Sequence, residues 1–421
     1  MLDNYEPGVY NMSMTQTHSA MLKRYVKEKI FDTAFAEKSY IWSNVEKKLD
    51  WAGGVYEVPI RKNSFSSVQM GSLPAANDIA EASEVMGTIA GHKELCMTAI
   101  FNEGDLARHN YSEQTYLEKL PDMIDDLTRV GVEQMEASLF RGGGTISYAI
   151  ANGAVGGTIA VANPEYFPVF SKVEVIDNDT AAVTGYVISV DINTGSLNIQ
   201  TARSAGSNID LSAYTTAQSA RVRMVGSGTE SFLDFKSALL PLSLGGLDSL
   251  YGQTKASIPG LQAKRKDGSA YTASTILKDL LKEYFDNRRL GRGNPSEIWV
   301  NYGMFANMAA NVEAARQYFV KDKASGYGFS SISLVGNEGD VKIVGLRHLP
   351  TDVAIFADWA GIKFAGLPMK KKLYGDAGME YFTVRNTTGV QFITDICLRG
   401  DFVINPAKFG IAYNIPASVS T

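Results

Sequence analysis

Few residues of this 421-residue chain stand at spacings that do chemistry. Its four histidines, His18, His92, His109 and His348, are scattered, with no HExxH pair and no Cys/His spacing of the kind that holds zinc. Asp177 and Asp179 in IDNDT could touch a cation, but the other ligands and the glycine of a calcium loop are missing, so the segment reads as a turn. Gly142, Gly143 and Gly144 lack the lysine and strand context of a phosphate loop, and neither GxGxxG nor GxSxG occurs. These glycines read as a helix stop and hinge. Cys96 and Cys397 are too few for a disulfide framework, and both lie in apolar, strand-like stretches where a thiol acts as a small buried hydrophobe. A reducing cytoplasm is then the natural folding compartment. No catalytic residue, cofactor or metal is expected, and the chain is not read as an enzyme.

What remains is positive charge at defined places. Lys370, Lys371 and Lys372 follow the apolar run DWAGIKFAGLPM, and Arg288, Arg289 and Arg292 form a second group together with Lys264, Arg265 and Lys266. Either group could meet DNA phosphates or the carboxylates of a neighbouring protein, and a solvated surface is the competing reading for both. A formal charge of −5 and a pI near 5.6 exclude a globally basic surface, so any nucleic-acid contact must be local.

The elements that must position these residues follow from length and pattern. The chain is long enough for several lobes at roughly 150 residues each. With 45% hydrophobic and 20% charged residues it can fold, and 39 Gly against 13 Pro favours turns and extensions over a helical bundle. No basic leader precedes an apolar run, and no stretch approaches the ~18 apolar residues of a membrane span. Residues 1–17 read as an extended arm, and a 3–4 periodicity from Ala20 to about Lys48 predicts a helix or a broken pair. A strand over 55–61 and a second over 92–101 bracket some thirty small, polar residues that cannot bury a core, which fits a long two-stranded projection. Ser112 caps a long helix whose stripe includes Tyr116, Leu120, Leu127, Met135 and Leu139. Residues 157–228 turn β-rich, with a hairpin loop at 191–195. Helices are then expected near 274–290 and 302–316, and strands at 297–301, 331–335, 341–346, 352–357, 391–399, 402–405 and 409–414.

This order, with the phrasing IAEASEVMGTIAGHKELCMTAIFNEGDLARHNYSEQTYLEKLPDMIDDLTRVGVEQMEASLFRGGG and the later EIWVNYGMFANMAANVEAARQY and GDVKIVGLRHLPTDVAIFADWAGIKF, resembles the Hong Kong 97-like (HK-97-like) major capsid proteins of tailed double-stranded DNA bacteriophages. The resemblance implies an α+β fold with an arm and helix at 1–49, an E-loop with its flanking strands at 50–102, and a P-domain spine helix at 103–156. It implies an A-domain at 231–372 and strands returning at 373–421. The β-rich stretch 157–230 is extra and reads as an insertion domain. The early start of the arm suggests a separate scaffold or none. Implied with the family are self-assembly into hexamers and pentamers, and portal and scaffolding proteins, with a decoration protein where one exists, as partners. Packaged DNA would be held without sequence specificity, with no membrane. The place would be the virion capsid, reached through the host cytoplasm. Lys62 becomes a candidate for an inter-subunit Lys–Asn crosslink, which would also need a positioned Asn and a carboxylate that the sequence does not show. An encapsulin-like nanocompartment shell is the alternative within the same fold, and a hydrolase with dispersed catalytic residues is a more distant one.

Overall fold

The computed structural model describes residues 39–51, 53–62, 84–102, 128–140, 147–149, 157–161, 167, 169, 171–176, 182–191, 194–203, 206–211, 220–225, 232–290, 293–316, 331–334, 341–371, 382–386 and 389–419. The arm, residues 63–83, Ser112 and the first half of the long helix, Gly142–Gly144, Asp177 and Asp179 therefore lie outside the described residues. In chain order the elements begin with α1 (Tyr40–Asn44), β1 (Glu46–Lys48), β2 (Val55–Arg61), β3 (Glu84–Ala90), β4 (Lys93–Asn102) and α2 (128–140). There follow β5 (Ser147–Ala149), β6 (Thr158–Ala160), β7 (Lys172–Ile176), β8 (Val183–Asp191), β9 (Ser196–Gln200), β10 (Arg221–Met224), α3 (Phe235–Leu239), β11 (Ser249–Leu250) and β12 (Gln253–Thr254). The rest are β13 (Lys264–Asp267), α4 (Ile276–Leu290), β14 (Glu297–Asn301), α5 (Tyr302–Arg316), β15 (Ser331–Leu334), β16 (Val341–Leu346), β17 (Ala354–Ala357), β18 (Ile362–Lys371), β19 (Phe382–Asn386), β20 (Gly389–Ile404) and β21 (Gly410–Tyr413). The class is α+β.

The chain divides into two units, one of Met1–Asn44, Glu94–Met135 and Gly366–Gly400, the other of Val45–Lys93, Glu136–Ala365 and Asp401–Thr421. In the second unit a mixed sheet runs β13-β21-β17-β14-β16-β15. Its central strands β14 and β17 are almost wholly buried, and their apolar residues, Ile298, Trp299 and Val300 on one and Ala354–Ala357 on the other, fill both faces, as covered strands must. α4 buries Ile276, Leu280 and Tyr284, spaced by four, and α5 buries Met304 and Met308, also spaced by four, so each presents one stripe to a shared core with Ile298, Ile343 and Phe356. Phe235 stands 5.4 Å from Phe140 and 5.3 Å from Trp299, and Trp299 also meets Trp359 at 5.2 Å. These rings tie α2, α3 and β14 into one apolar knot.

A separate antiparallel sheet runs β5-β10-β7-β8-β9-β6 around Val173, Val175, Val187, Leu197, Ile199 and Val222, and it takes in Ser147–Ala149 through β5. The β8–β9 hairpin turns at Gly195, φ +66°, where Asp191 Oδ1 accepts the Thr194 N–H at 3.2 Å.

Four expectations are corrected. The helix expected to reach Lys48 stops at Asn44: the Asn44 amide and the Ser43 hydroxyl both donate to the Tyr40 carbonyl, and Glu46–Lys48 leaves as a strand parallel to Lys363–Ala365. The strand beginning near His92 is not the partner of β2. Residues 84–90, inside the expected loop, pair with β2 from Val55↔Ala90 to Arg61↔Glu84, and a turn at Gly91, φ +76°, sends β4 to pair with β20 instead. Cys96 and Cys397 are not isolated hydrophobes. They form a disulfide within the first unit, with Cα atoms 4.1 Å apart, and only Cys397 is buried. Strand register brings them together: Glu94 and Arg399 pair at 2.7 Å two residues earlier on β4 and two later on β20, as antiparallel neighbours on one face do. The two strands expected at 391–399 and 402–405 are one continuous strand, β20.

Candidate interaction surface

The β2–β3 ribbon is rooted on the second unit by residues that lock its base. His92 stacks on Trp51 at 4.2 Å, and its Nε2 donates to the Trp51 carbonyl at 2.9 Å. Trp51 meets Tyr56 at 5.3 Å, and the Lys363 ammonium lies over the Tyr56 ring at 5.3 Å. Thr88 N–H donates to the Tyr251 carbonyl at 3.0 Å, in a turn where Tyr251 takes φ +55°. The Tyr251 hydroxyl is buried and serves Ile404 twice, donating to its carbonyl at 2.9 Å and accepting its N–H at 2.7 Å. Burial drives the phenol pKa far above its usual value, so the hydroxyl keeps its proton. Only a glycine fits at position 87, since a Cβ there would stand 2.7 Å from both Ile60 Cδ1 and Tyr251 Cβ. Tyr251→Phe is expected to destabilise the protein by about 1–2 kcal/mol, because it leaves a buried backbone N–H unmatched. Chemical unfolding of the two proteins side by side checks this.

Pairing places Tyr56, Val58 and Ile60 on the inner face of the ribbon. Val55 beside Ala90, and Pro59 beside Met86, are turned outward. Val55 is 54% and Met86 49% exposed, so the outer face carries apolar cross-strand pairs in contact with water. Lys62 is exposed one residue past the Arg61↔Glu84 pair.

The sequence-predicted cations are only partly gathered. Arg288 lies 5.8 Å over the Tyr284 ring and donates to its hydroxyl at 3.4 Å, while Arg289 pairs with Asp286 at 3.4 Å. Both are satisfied along their own helix at spacings of three and four. Lys266 reaches Glu283 of that helix at 3.5 Å. β13, which carries Lys264, Arg265 and Lys266, is an edge strand of its sheet, a position where cations discourage strand addition. Lys370 and Lys371 end β18, whereas Lys372 and Arg292 lie outside the described residues.

Two buried charges carried no recognisable signal in the sequence. The Lys255 ammonium is enclosed and donates to the Ser237 carbonyl at 3.0 Å and to the Leu240 carbonyl, closing the end of α3. Its burial and the nearby Arg265 bring its pKa down to about 8. Asp401 is buried, and its Oδ1 accepts N–H groups from Leu233 at 2.9 Å and Phe402 at 2.7 Å, fixing the segment that leads into α3. Burial pushes its carboxyl up to about 6 against the lowering effect of those two bonds and of Lys93.

Among the described residues no three His, Cys, Asp or Glu side chains converge as metal ligands, and no helix is long and apolar enough to cross a membrane. No family model matches the chain, and no curated protein matches it. Among solved structures it is similar to the cyanophage A-1(L) capsid asymmetric unit, with a TM-score of 0.49 and 7% identity over 88% of this chain and 89% of that one. It is also similar to Gordonia phage Cozz, at 0.40 and 11% over 89% and 86%, and to a virus-like particle from Pyrococcus furiosus, at 0.38 and 8% over 91% and 97%. The functional reading therefore rests on the chain's own geometry.

Proposed function

We propose that this chain has the HK-97-like fold and is the major capsid protein of a tailed double-stranded DNA bacteriophage. It assembles into hexamers and pentamers of an icosahedral head, and its role is structural, without catalysis. The observation that carries this reading is the ribbon. A two-stranded ribbon, held along its inner face by Tyr251 and Trp51, turns the apolar pairs Val55/Ala90 and Pro59/Met86 to water. A ribbon whose outer face sets the apolar pairs Val55/Ala90 and Pro59/Met86 between the polar pairs Glu57/Thr88 and Arg61/Glu84 suits contact with the next subunit, because burying those apolar groups stabilises an assembly while leaving them exposed does nothing for the monomer. Packaged DNA is held without sequence readout, and Lys370, Lys371, Lys372 and Arg292 are the cations the sequence offers for its phosphates. Portal and scaffolding proteins, and a decoration protein where one exists, are the further partners. Assembly takes place in the host cytoplasm and ends in the virion. Lys62, exposed just past the last ribbon pair, is the candidate lysine for a covalent link between subunits, which would also require an Asn and a carboxylate beside it.

Replacing Val55 and Met86 together with glutamate tests the ribbon. Because both are exposed in the single chain, its unfolding midpoint is expected to stay within the range of ordinary surface substitutions, about 0.5 kcal/mol each. Assembly, followed by light scattering, is expected to fall at least ~10-fold, since the new carboxylates would be buried without partners. Unchanged assembly by the folded double variant would count against this face as the contact.

A further inference from the structure

The Cys96–Cys397 bond is placed asymmetrically. Cys397 is 3% exposed on β20, whereas Cys96 is exposed on β4 beside the surface pair Glu94–Arg399. A thiolate attacks whichever sulfur it can reach, so access to this bond lies on one side only. The bond ties strands whose cysteines are 301 residues apart, so its state decides whether β4 is covalently held to β20 or kept there by non-covalent contacts such as strand pairing and the Glu94–Arg399 pair.

We propose that Cys96–Cys397 is a reversible thiol–disulfide site for small-molecule thiols and disulfides, entered through Cys96, with Cys397 as the sheltered resolving thiol. This stands independently of the capsid reading. In the opening direction a small thiolate attacks Cys96 Sγ. The new S–S bond forms as the Cys96–Cys397 bond breaks, and the electron pair leaves on Cys397 Sγ, which takes up a proton. A second small thiolate attacks the sulfur of the first, releasing a small disulfide and leaving Cys96 as a thiolate that is then protonated. The balance is one protein disulfide reduced and two small thiols oxidised. Closure runs the same steps backwards, with the small disulfide as oxidant.

The test uses the full folded chain with glutathione, reduced or oxidised, followed by acid quench, alkylation and intact-mass measurement. The native wild type is expected to open in reduced glutathione, exposing two alkylatable thiols, and to lose both again in oxidised glutathione. Cys397→Ser is expected to take up one glutathione at Cys96, and Cys96→Ser to react at Cys397 at least ~10-fold more slowly, the difference that access imposes. Equal reactivity of the two single variants would overturn the asymmetry. If one variant fails to fold, the wild type still decides. A disulfide that opens only after denaturation, or a reduced pair that stays open in oxidised glutathione, would overturn the proposal.

Discussion

Trp299→Ala is expected to lower stability by about 3–5 kcal/mol, the range for removing a large aromatic from a packed core. Trp299 is fully buried on β14 and meets Phe235, Phe409 and Trp359 at 5.2–6.4 Å, so its loss opens a cavity at the meeting point of α3 and the mixed sheet. Its indole N–H also donates to Glu297 Oε2 at 2.8 Å, which would leave a buried carboxylate short of a donor. Trp299→Phe keeps most of the volume and loses the donor, and is expected to cost less than half as much. Urea unfolding of the three proteins measures both effects. Equal costs for the two variants would show that the hydrogen bond, and not the packing, dominates at this site.

The second large effect depends on pH. Asp401 has a folded-state pKa of about 6 against an ordinary value of 3.8. A raised carboxyl pKa means that the folded protein binds this proton more tightly than the unfolded chain. The group's stabilising contribution is therefore complete below pH ~4 and is lost as pH rises to about 6, at roughly 1.4 kcal/mol per unit, giving a loss of about 3 kcal/mol above it. Asp401→Asn retains an oxygen for the Leu233 and Phe402 N–H groups and cannot ionise. It is expected to match the wild type near pH 4 and to exceed it by up to about 3 kcal/mol at pH 8. Measuring the difference between the two proteins at each pH cancels every other titrating group. A difference that is flat with pH, or that favours the wild type at pH 8, would mean that Asp401 is ionised at little cost.

Where local spacing determined structure, it was readable. Ile276, Leu280 and Tyr284 recur every fourth residue, so α4 was visible, and the strand Glu297–Asn301 was visible around its apolar centre of Ile298, Trp299 and Val300. The Asp191–Gly195 loop announced its hairpin through its turn residues. Where a distant partner decided the outcome, the sequence was silent. Glu46–Lys48 has no apolar residue and becomes a strand only because Lys363–Ala365 lies alongside. β3 hides in a polar insert because its inner face offers only Val85, Gly87 and Ile89, and Gly87 owes its place to Tyr251 more than 160 residues on. The disulfide follows from the register of β4 against β20, which neither strand encodes alone. The burial of Lys255 and Asp401 was equally hidden, since a lysine or aspartate in sequence carries no mark of enclosure. Among the candidate cations, Arg288 and Arg289 are engaged at spacings legible in hindsight, Tyr284 four residues before one and Asp286 three before the other.

The most direct test of the proposed shell-forming role is electron microscopy of the full chain, produced with and without the neighbouring gene products of its source and examined across salt concentrations. The expected result is rings of six and five subunits and closed shells of icosahedral symmetry, with the β2–β3 ribbon buried between subunits. A discrete single-chain species under every condition, with no ring or shell, would contradict it.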